Sequence, residues 1–282
     1  MKLNLGAKIS LLVSILVLFS AGTVGFFFVK KEKANLRQIT LNEIKKEVQS
    51  QGSMINESVM ELVNDVRFLS KTPPIQGIIR ARFGNGIDPL DGSTEEVWRE
   101  RLTTILVGFL GEKNKYLHAR YIGIAGNGKE IVRADRVSGQ VVTVEAQNLQ
   151  SKGHRNYFKS TIVLKKGEVY LSPINLNREF GGIDIPHTPV IRVAVPVHDF
   201  KGKIFGVVAV NMKFGEILNS LLKKNPALRV VDQSGNYIAH KNTELTFGFD
   251  LGKTHKIQDS FPVLANQFEK GNSNKEFIEI ND

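Results

Sequence analysis

The sequence predicts an α+β chain built on one long helix, and three observations carry that reading. Ile9 to Val29 is a run without a single charge. Lys30 to Lys71 contains no proline and one glycine, with apolar residues at heptad-like spacing. Beyond Pro73-Pro74 the pattern changes, and short apolar runs separated by Gly-rich turns read as an antiparallel sheet. The expected divisions are 1–8, 9–29, 30–72, 73–225 and 226–282.

At about 1.5 Å per residue, the Ile9–Val29 run spans a hydrocarbon core of roughly 30 Å. Lys2 and Lys8 precede it, and Lys30, Lys31 and Lys33 follow. A cleaved signal peptide would use Ser20-Ala21-Gly22 as its small-residue cleavage region. The apolar run continues through Phe26, Phe27, Phe28 and Val29, which favours an uncleaved anchor. The basic residues are more numerous after the span and argue against an external C-terminal part. A span beginning almost at Met1, followed by a soluble-looking region, argues for the opposite orientation, with residues 1–8 as a cytoplasmic tail.

The next helix carries Ile44, Val48, Ile55, Val59, Leu62, Val66 and Leu69, interrupted near Gln51-Gly52 and stopped by Pro73-Pro74. Its seam serves either packing on its own domain or pairing with a second copy in a homodimer. Asn85-Gly86 and Asp91-Gly92 mark a loop. Ser93 or Thr94 then caps a helix with Glu95 and Glu96 in its first turn and an apolar stripe at Trp98, Leu102, Ile105, Leu106, Phe109 and Leu110. Strands are expected at 116–125, 130–137, 169–174, 190–197 and 204–211. Gly126-Asn127-Gly128 turns the first pair and Lys201-Gly202 the last. A helix follows over about 214–224. Strands at 228–232 and 237–240, joined by Gln233-Ser234-Gly235, resemble the opening of the first sheet and suggest a second copy of it.

Composition narrows the function. Net charge is +10, but the basic residues are spread along the chain with no RNP-like or zinc-finger motif, so no nucleic-acid partner is expected. The absence of cysteine excludes disulfides, Cys-containing zinc sites and thiol nucleophiles. His154, His187, His198 and His240 show no metal-ligand spacing, and no nucleophile elbow or phosphate loop occurs. No catalytic residue, metal or cofactor is assigned.

An ordered series of stretches then carries a resemblance: Leu69 to Ala81, Arg120 to Gly123, Glu130 to Asp135, Leu149 to Phe158, Val169 to Glu179, Pro189 to Pro196 and Phe247 to Gly252. The series resembles the double Cache, or double PAS-like, extracytoplasmic sensor region of bacterial transmembrane receptors. The resemblance implies an inner-membrane histidine kinase, diguanylate cyclase or chemoreceptor with its sensor in the periplasm. It also implies a small-molecule ligand in a membrane-distal PAS-like domain at 73–225, and output through helix movement. Residues 226–282 read as a partial second PAS-like domain, with the output domain missing. The alternative is a membrane-anchored periplasmic enzyme or binding protein complete at residue 282. A partial sheet should leave Phe247, Phe249, Leu251, Phe261, Val263, Leu264 and Phe268 less buried than Ile122, Val132, Ile191 and Val207. It should also leave Asn274 to Ile280 as an unpaired strand or none.

Amino-acid-binding members of that class carry an Arg-x-Trp-Tyr element with a nearby Asp. The aligned residues here are Arg155, Tyr157 and Phe158, and after Tyr170 stand Ser172 and Asn175 in place of Asp, which argues against a standard amino-acid ligand. Arg120, Arg133, Arg155 and Arg192 lie on or beside the expected strands, and a guanidinium holds carboxylate or phosphate bidentately. An anionic ligand follows, in a pocket lined by Arg155, Tyr157 and Tyr170, with Ser172, Asn175, Arg192, Arg120, Arg133 and Asp135 as further site residues. The plainer reading pairs Arg133 with Asp135, and Arg178 with Glu179 or Asp184, simply to fix loops, and makes Tyr170 and Tyr121 core aromatics.

Overall fold

The computed structural model describes residues 4–265 and residue 268. The chain divides into two compact units, one up to Glu57 and one from Ser58 on. The division falls inside the first helix, α1 (Leu5–Leu69), which runs unbroken past Gln51-Gly52. In the first unit the apolar residues from Ile9 to Val29 are 53–75% exposed. Among the described residues, one helix is long and apolar enough to cross a membrane. Ile44 and Val48 are also exposed.

The second unit begins with the last turns of α1. Leu62, Val66 and Leu69 are buried in it, so this end of the heptad seam serves its own domain. Lys113 and Lys115 pair with Glu61, and Tyr116 Oη donates to Asp65 at 2.5 Å. Pro73-Pro74 do more than stop a helix. They occupy the first turn of α2 (Pro73–Phe83), where a missing N–H and fixed φ cost nothing. The sequence pattern does not announce this helix. It packs on α3 (Glu95–Glu112) by setting Gly77 against the Trp98 indole, where an added Cβ would lie 2.1 Å from the ring. Thr94 is the α3 cap, its hydroxyl accepting from Val97 N at 3.3 Å.

The sheet comes next along the chain. Strand β1 (Tyr116–Gly123) leads through the helical turn α4 (Ala125–Gly128) to β2 (Glu130–Val137) and β3 (Gln140–Thr143). After α5 (Asn156–Thr161) come the two-residue strands β4 (Tyr170–Leu171), β5 (Asn175–Leu176), β6 (Arg178–Glu179) and β7 (Gly182–Ile183). The long hairpin β8 (Pro189–His198) and β9 (Ile204–Lys213) completes it. The order is β3-β2-β1-β9-β8-β4, with β5 also on β8, and every pairing is antiparallel, as the hairpin turns imply. The expected 169–174 strand is reduced to Tyr170–Leu171, because Pro173 cannot donate to a ladder. One sheet face packs on α3; the other carries the site.

Helix α6 (Gly215–Lys224) leads to β10 (Val230–Val231) and β11 (Tyr237–Ala239), a two-stranded sheet, and to the short helix α7 (Ile257–Ser260). Phe249 and Val263 are exposed and Leu251, Phe261, Leu264 and Phe268 half-buried, while Phe247 is buried. Ile122, Val132, Ile191 and Val207 are all buried, so the expected contrast holds for the other six but fails at Phe247, which is as buried as Ile191. Asn274 to Ile280 lie outside them.

The β1–β2 turn positions the segment ahead of α5. Gly126, Asn127 and Gly128 all have positive φ (64°, 56° and 71°). Lys152 N donates to Gly128 O at 2.8 Å and Gly153 N to Asn127 O at 2.9 Å, which docks that segment on the turn. A Cβ on Gly153 would sit 2.5 Å from Asn127 O. We expect Gly153→Ala to cost about 2 kcal/mol or more, since the Asn127 backbone blocks the Cβ even if the Asn127 side chain moves away. Urea unfolding checks this, and a change below roughly 0.5 kcal/mol would show the docking to be loose.

Candidate functional site

Successive residues of a strand face opposite sides of a sheet. On β1, His118, Arg120 and Ile122 share one face; on β9 their partners are Asn211, Ala209 and Val207. On β8, Arg192 pairs with Asn211 and Ala194 with Ala209, and Tyr170 of β4 pairs with Ala194. On β2, Arg133 pairs with Arg120 and Asp135 with His118. A bulge between the Tyr121 and Ile122 pairings brings Glu130 to the same side as Arg133. Tyr121 points the other way and is not part of this face.

The face has an apolar and a charged half. Ile122, Ala194, Val207 and Ala209 pack against Tyr157 and Phe158 of α5, with Tyr170 and Ile162 at the edge. Beside them lie Arg120, Arg133, Lys152, Arg192, Glu130 and Asp135, all buried, and the nearly buried carboxylate of Glu179. Glu179 reaches in from β6. Its Oε1 pairs with Arg120 Nη2 at 2.9 Å, and its Oε2 with Arg133 Nη1 at 3.1 Å and Lys152 Nζ at 2.7 Å. Glu130 Oε1 lies 3.3 Å from Arg120 Nη1. Burial would raise the Glu179 carboxyl, but the charges of Arg120, Arg133 and Lys152 outweigh it and hold it far below the ordinary range. Burial and Arg120 lower Lys152 to about 8.

A polar chain crosses the face. Arg192 Nε donates to Asn211 Oδ1 at 2.8 Å, Asn211 Nδ2 to Asn177 Oδ1 at 3.0 Å, and Asn177 Nδ2 lies 3.1 Å from His118 Nε2. His118 Nδ1 meets Asp135 Oδ1 at 2.8 Å, and Arg133 Nε donates to the same oxygen at 2.7 Å. Burial and the charge of Arg120 lower the His118 pKa, so the ring is neutral, with Nδ1–H donating and Nε2 accepting. Burial raises Asp135, but its bonds to His118 and Arg133 hold it at about 2.

Four buried cations therefore face three carboxylates, and the imbalance collects at Arg192. Among the described residues its guanidinium has no carboxylate partner. It lies 4.9 Å from the centre of the Tyr157 ring. Burial, Arg120 and Arg155 bring its pKa down to about 10. Tyr157 Oη and Arg120 Nε are buried without a hydrogen-bond partner among the described residues.

The residues expected from sequence thus divide. Arg120, Arg133, Asp135, Arg192, Tyr157 and Tyr170 share one face. Arg155, half-buried ahead of α5, acts on Arg192 through its charge. Ser172 Oγ accepts from Arg192 N and donates to Pro173 O, which fixes β4 against β8. Asn175 sits on β5, its Oδ1 buried and unpartnered among the described residues. The Arg133–Asp135 pair forms, but Arg178 pairs with Asp250 at 3.0 Å, rather than with Glu179 or Asp184. Glu179 cannot serve it, because neighbours on a strand point apart. Tyr157 and Tyr170 pack in one apolar cluster with Ile122, Ala194 and Val207, with the Glu179 carboxylate on the charged half of the face. A cavity of 520 Å³ lies between α6, β11 and Phe247. Sequence reasoning misses Glu130, Lys152, Glu179, Asn177 and Asn211; Asn211, a polar residue inside an apolar strand, is the legible signal among them.

The model of the family described as "Bacterial histidine kinase, sensor domain" matches residues 92–274. The chain belongs to this family. Among solved structures, this sensor domain is similar to the domain of a protein assigned to the sensory box/GGDEF family of Vibrio parahaemolyticus, at TM-score 0.65 and 18% identity over 80% of this chain and 82% of that one. It is similar to the extracellular domain of a protein described as a histidine kinase, vpHK1S-Z8, at 0.64 and 18% over 80% and 77%. It is also similar to the ligand-binding domain of the Campylobacter jejuni chemoreceptor Tlp3 in complex with L-norvaline, at 0.52 and 20% over 74% and 72%. No curated protein sequence matches.

The charged face makes this sensor domain acid-labile. Asp135 and Glu179 have lowered folded pKa values, so their stabilisation is present above the unfolded carboxylate range and is lost as pH falls towards 2. His118, also lowered, binds its proton more readily when unfolded, so it too destabilises the fold below about pH 6.5. We expect stability to fall steadily from about pH 6.5 to 2, with a shallower slope in Asp135→Asn. A flat profile in chemical denaturation would contradict the arrangement.

Proposed function

We propose that this sensor domain reads a small anionic molecule outside the cytoplasm and that α1 anchors it in the inner membrane, its N-terminus inside. The carrying observation is the surplus of buried positive charge at Arg192, beside the unpartnered Tyr157 hydroxyl. A buried guanidinium without an anion is costly, and a ligand carboxylate or phosphate offsets that cost. Arg155, Tyr157, Tyr170, Arg192 and Arg120 are the contact residues of this reading, with Arg133, Asp135, Ser172 and Asn175 around them. A Tyr and a Phe stand where amino-acid-binding relatives of the broader class carry Trp and Tyr. That supports an anion other than a standard amino acid, although Tlp3 was solved with L-norvaline.

Residues 73–225 are the ligand-binding part of this reading and 226–282 part of a second PAS-like domain. The parent receptor is a histidine kinase or diguanylate cyclase. The exposed Ile44–Val48 face of α1 is where a second copy would pair; a monomer by light scattering in detergent would count against that.

The test is a thermal-shift screen of the full chain in detergent against small carboxylates and phosphates, with neutral isosteres as controls. A true ligand at 100 times its Kd stabilises by about 2.7 kcal/mol. We expect anions alone to stabilise, and Arg155→Ala and Arg192→Ala each to weaken the hit by about 1.5–3 kcal/mol. Stabilisation by neutral isosteres alone, or an unchanged affinity in both variants, would refute the reading.

A further inference from the structure

Glu179 differs from every other charge in the cluster in what holds it. Arg120, Arg133, Glu130, Asp135 and Arg192 stand on the main strands β1, β2 and β8. Lys152 is docked by its backbone on the β1–β2 turn. Glu179 stands on β6, a two-residue strand paired only with β7 and outside the main sheet. The tip of that hairpin is Phe180, exposed and at φ +50°. The carboxylate can therefore leave without breaking a bond of the main ladder.

Its two oxygens are shared out in a way that suits a planar carboxylate. Oε1 takes Arg120. Oε2 takes Arg133, Lys152 and, at 3.3 Å, Gln150 Nε2. A free carboxylate in that place would meet the same four groups that Glu179 meets.

The same short strap grips a second place. Arg178, next to Glu179, pairs with Asp250 Oδ1 at 3.0 Å, and Leu176 N donates to Asp250 Oδ2 at 2.7 Å. Four consecutive residues, Leu176 to Glu179, thus join the charged sheet face to the segment that follows β11. Asn177, between them, ties into the Asn211–His118 chain.

We infer that Glu179 is a built-in stand-in for the ligand's carboxylate, and that a ligand displaces it and frees the Leu176–Glu179 strap from Asp250. This rests on the anion-sensor reading above and narrows it to carboxylates. The unliganded state is held closed by the protein's own acid, and the signal is the release of the strap.

The experiment compares wild-type full chain, Glu179→Ala and Glu179→Gln in detergent, titrated with acetate, propionate and inorganic phosphate at fixed ionic strength. Melting temperature and hydrogen exchange at the Leu176 amide are read. We expect acetate and propionate to stabilise Glu179→Ala at concentrations at least tenfold lower than wild type. Leu176 exchange should be at least tenfold faster in that variant and stay fast when acetate restores its melting temperature. Glu179→Gln, which keeps the volume, should fold and show the faster exchange even if the alanine variant does not accumulate. Equal acetate affinity in wild type and Glu179→Ala, or unchanged Leu176 exchange in both variants, overturns the strap and leaves the anion-sensor reading standing. Preference of Glu179→Ala for phosphate overturns the carboxylate class. Binding of none of the three anions by any form overturns both readings.

Discussion

Seven charged groups lie on one face of this sheet with almost no access to water: Arg120, Arg133, Lys152, Arg192, Glu130, Asp135 and Glu179. An ion taken out of water costs several kcal/mol even after relaxation, and only partners at close range offset it. That constraint explains the placement of everything around the face. The β2 bulge turns Glu130 inward, the β1–β2 turn docks Lys152, and the small hairpin brings Glu179 between two arginines. Each device delivers an opposite charge to a buried one. Arg192 is the exception, with an amide oxygen and a ring for company.

An incomplete charge balance inside an otherwise packed fold is a reasonable signature of a binding site, since stability alone would favour apolar residues there. The opposite sheet face shows what stability alone produces: Val193, Val195, Val208 and Val210 are buried on the side of α3, with no charge among them. The two faces share the same strands, so the difference resides in alternate residues of β1, β2, β8 and β9.

That alternation is why much of the fold is legible in the sequence. Period-two patterning in 130–137, 190–197 and 204–211, the Thr94 cap and the Gly126–Gly128 turn all act locally, and each appears near where the residues imply. Arg120, Arg133 and Arg192 can be gathered beside one sheet for the same reason. The less legible parts depend on distant partners. Two-residue strands such as β6 and β7 have no period to read. Glu179 finds Arg120 across 59 positions of sequence, and Arg178 takes Asp250 rather than a neighbour. Helix α2 escapes for another reason: Pro73-Pro74 signals an end and a beginning alike. The packing of Tyr157 and Tyr170 against Ile122, Ala194 and Val207 joins strands far apart in the sequence, and side-chain type alone does not reveal it.

The central claim is that the unmatched positive charge at Arg192 awaits an anion. The most direct measurement is a nitrogen–proton spectrum that resolves the arginine Nε–H signals of the full chain in detergent, titrated with the anion that gives the largest thermal shift. The account predicts saturable displacement of the Arg192 and Arg120 signals, with Arg99 and Arg229, which lie outside the site, unmoved. Displacement confined to those outer arginines, with Arg192 and Arg120 unchanged at saturation, would contradict it.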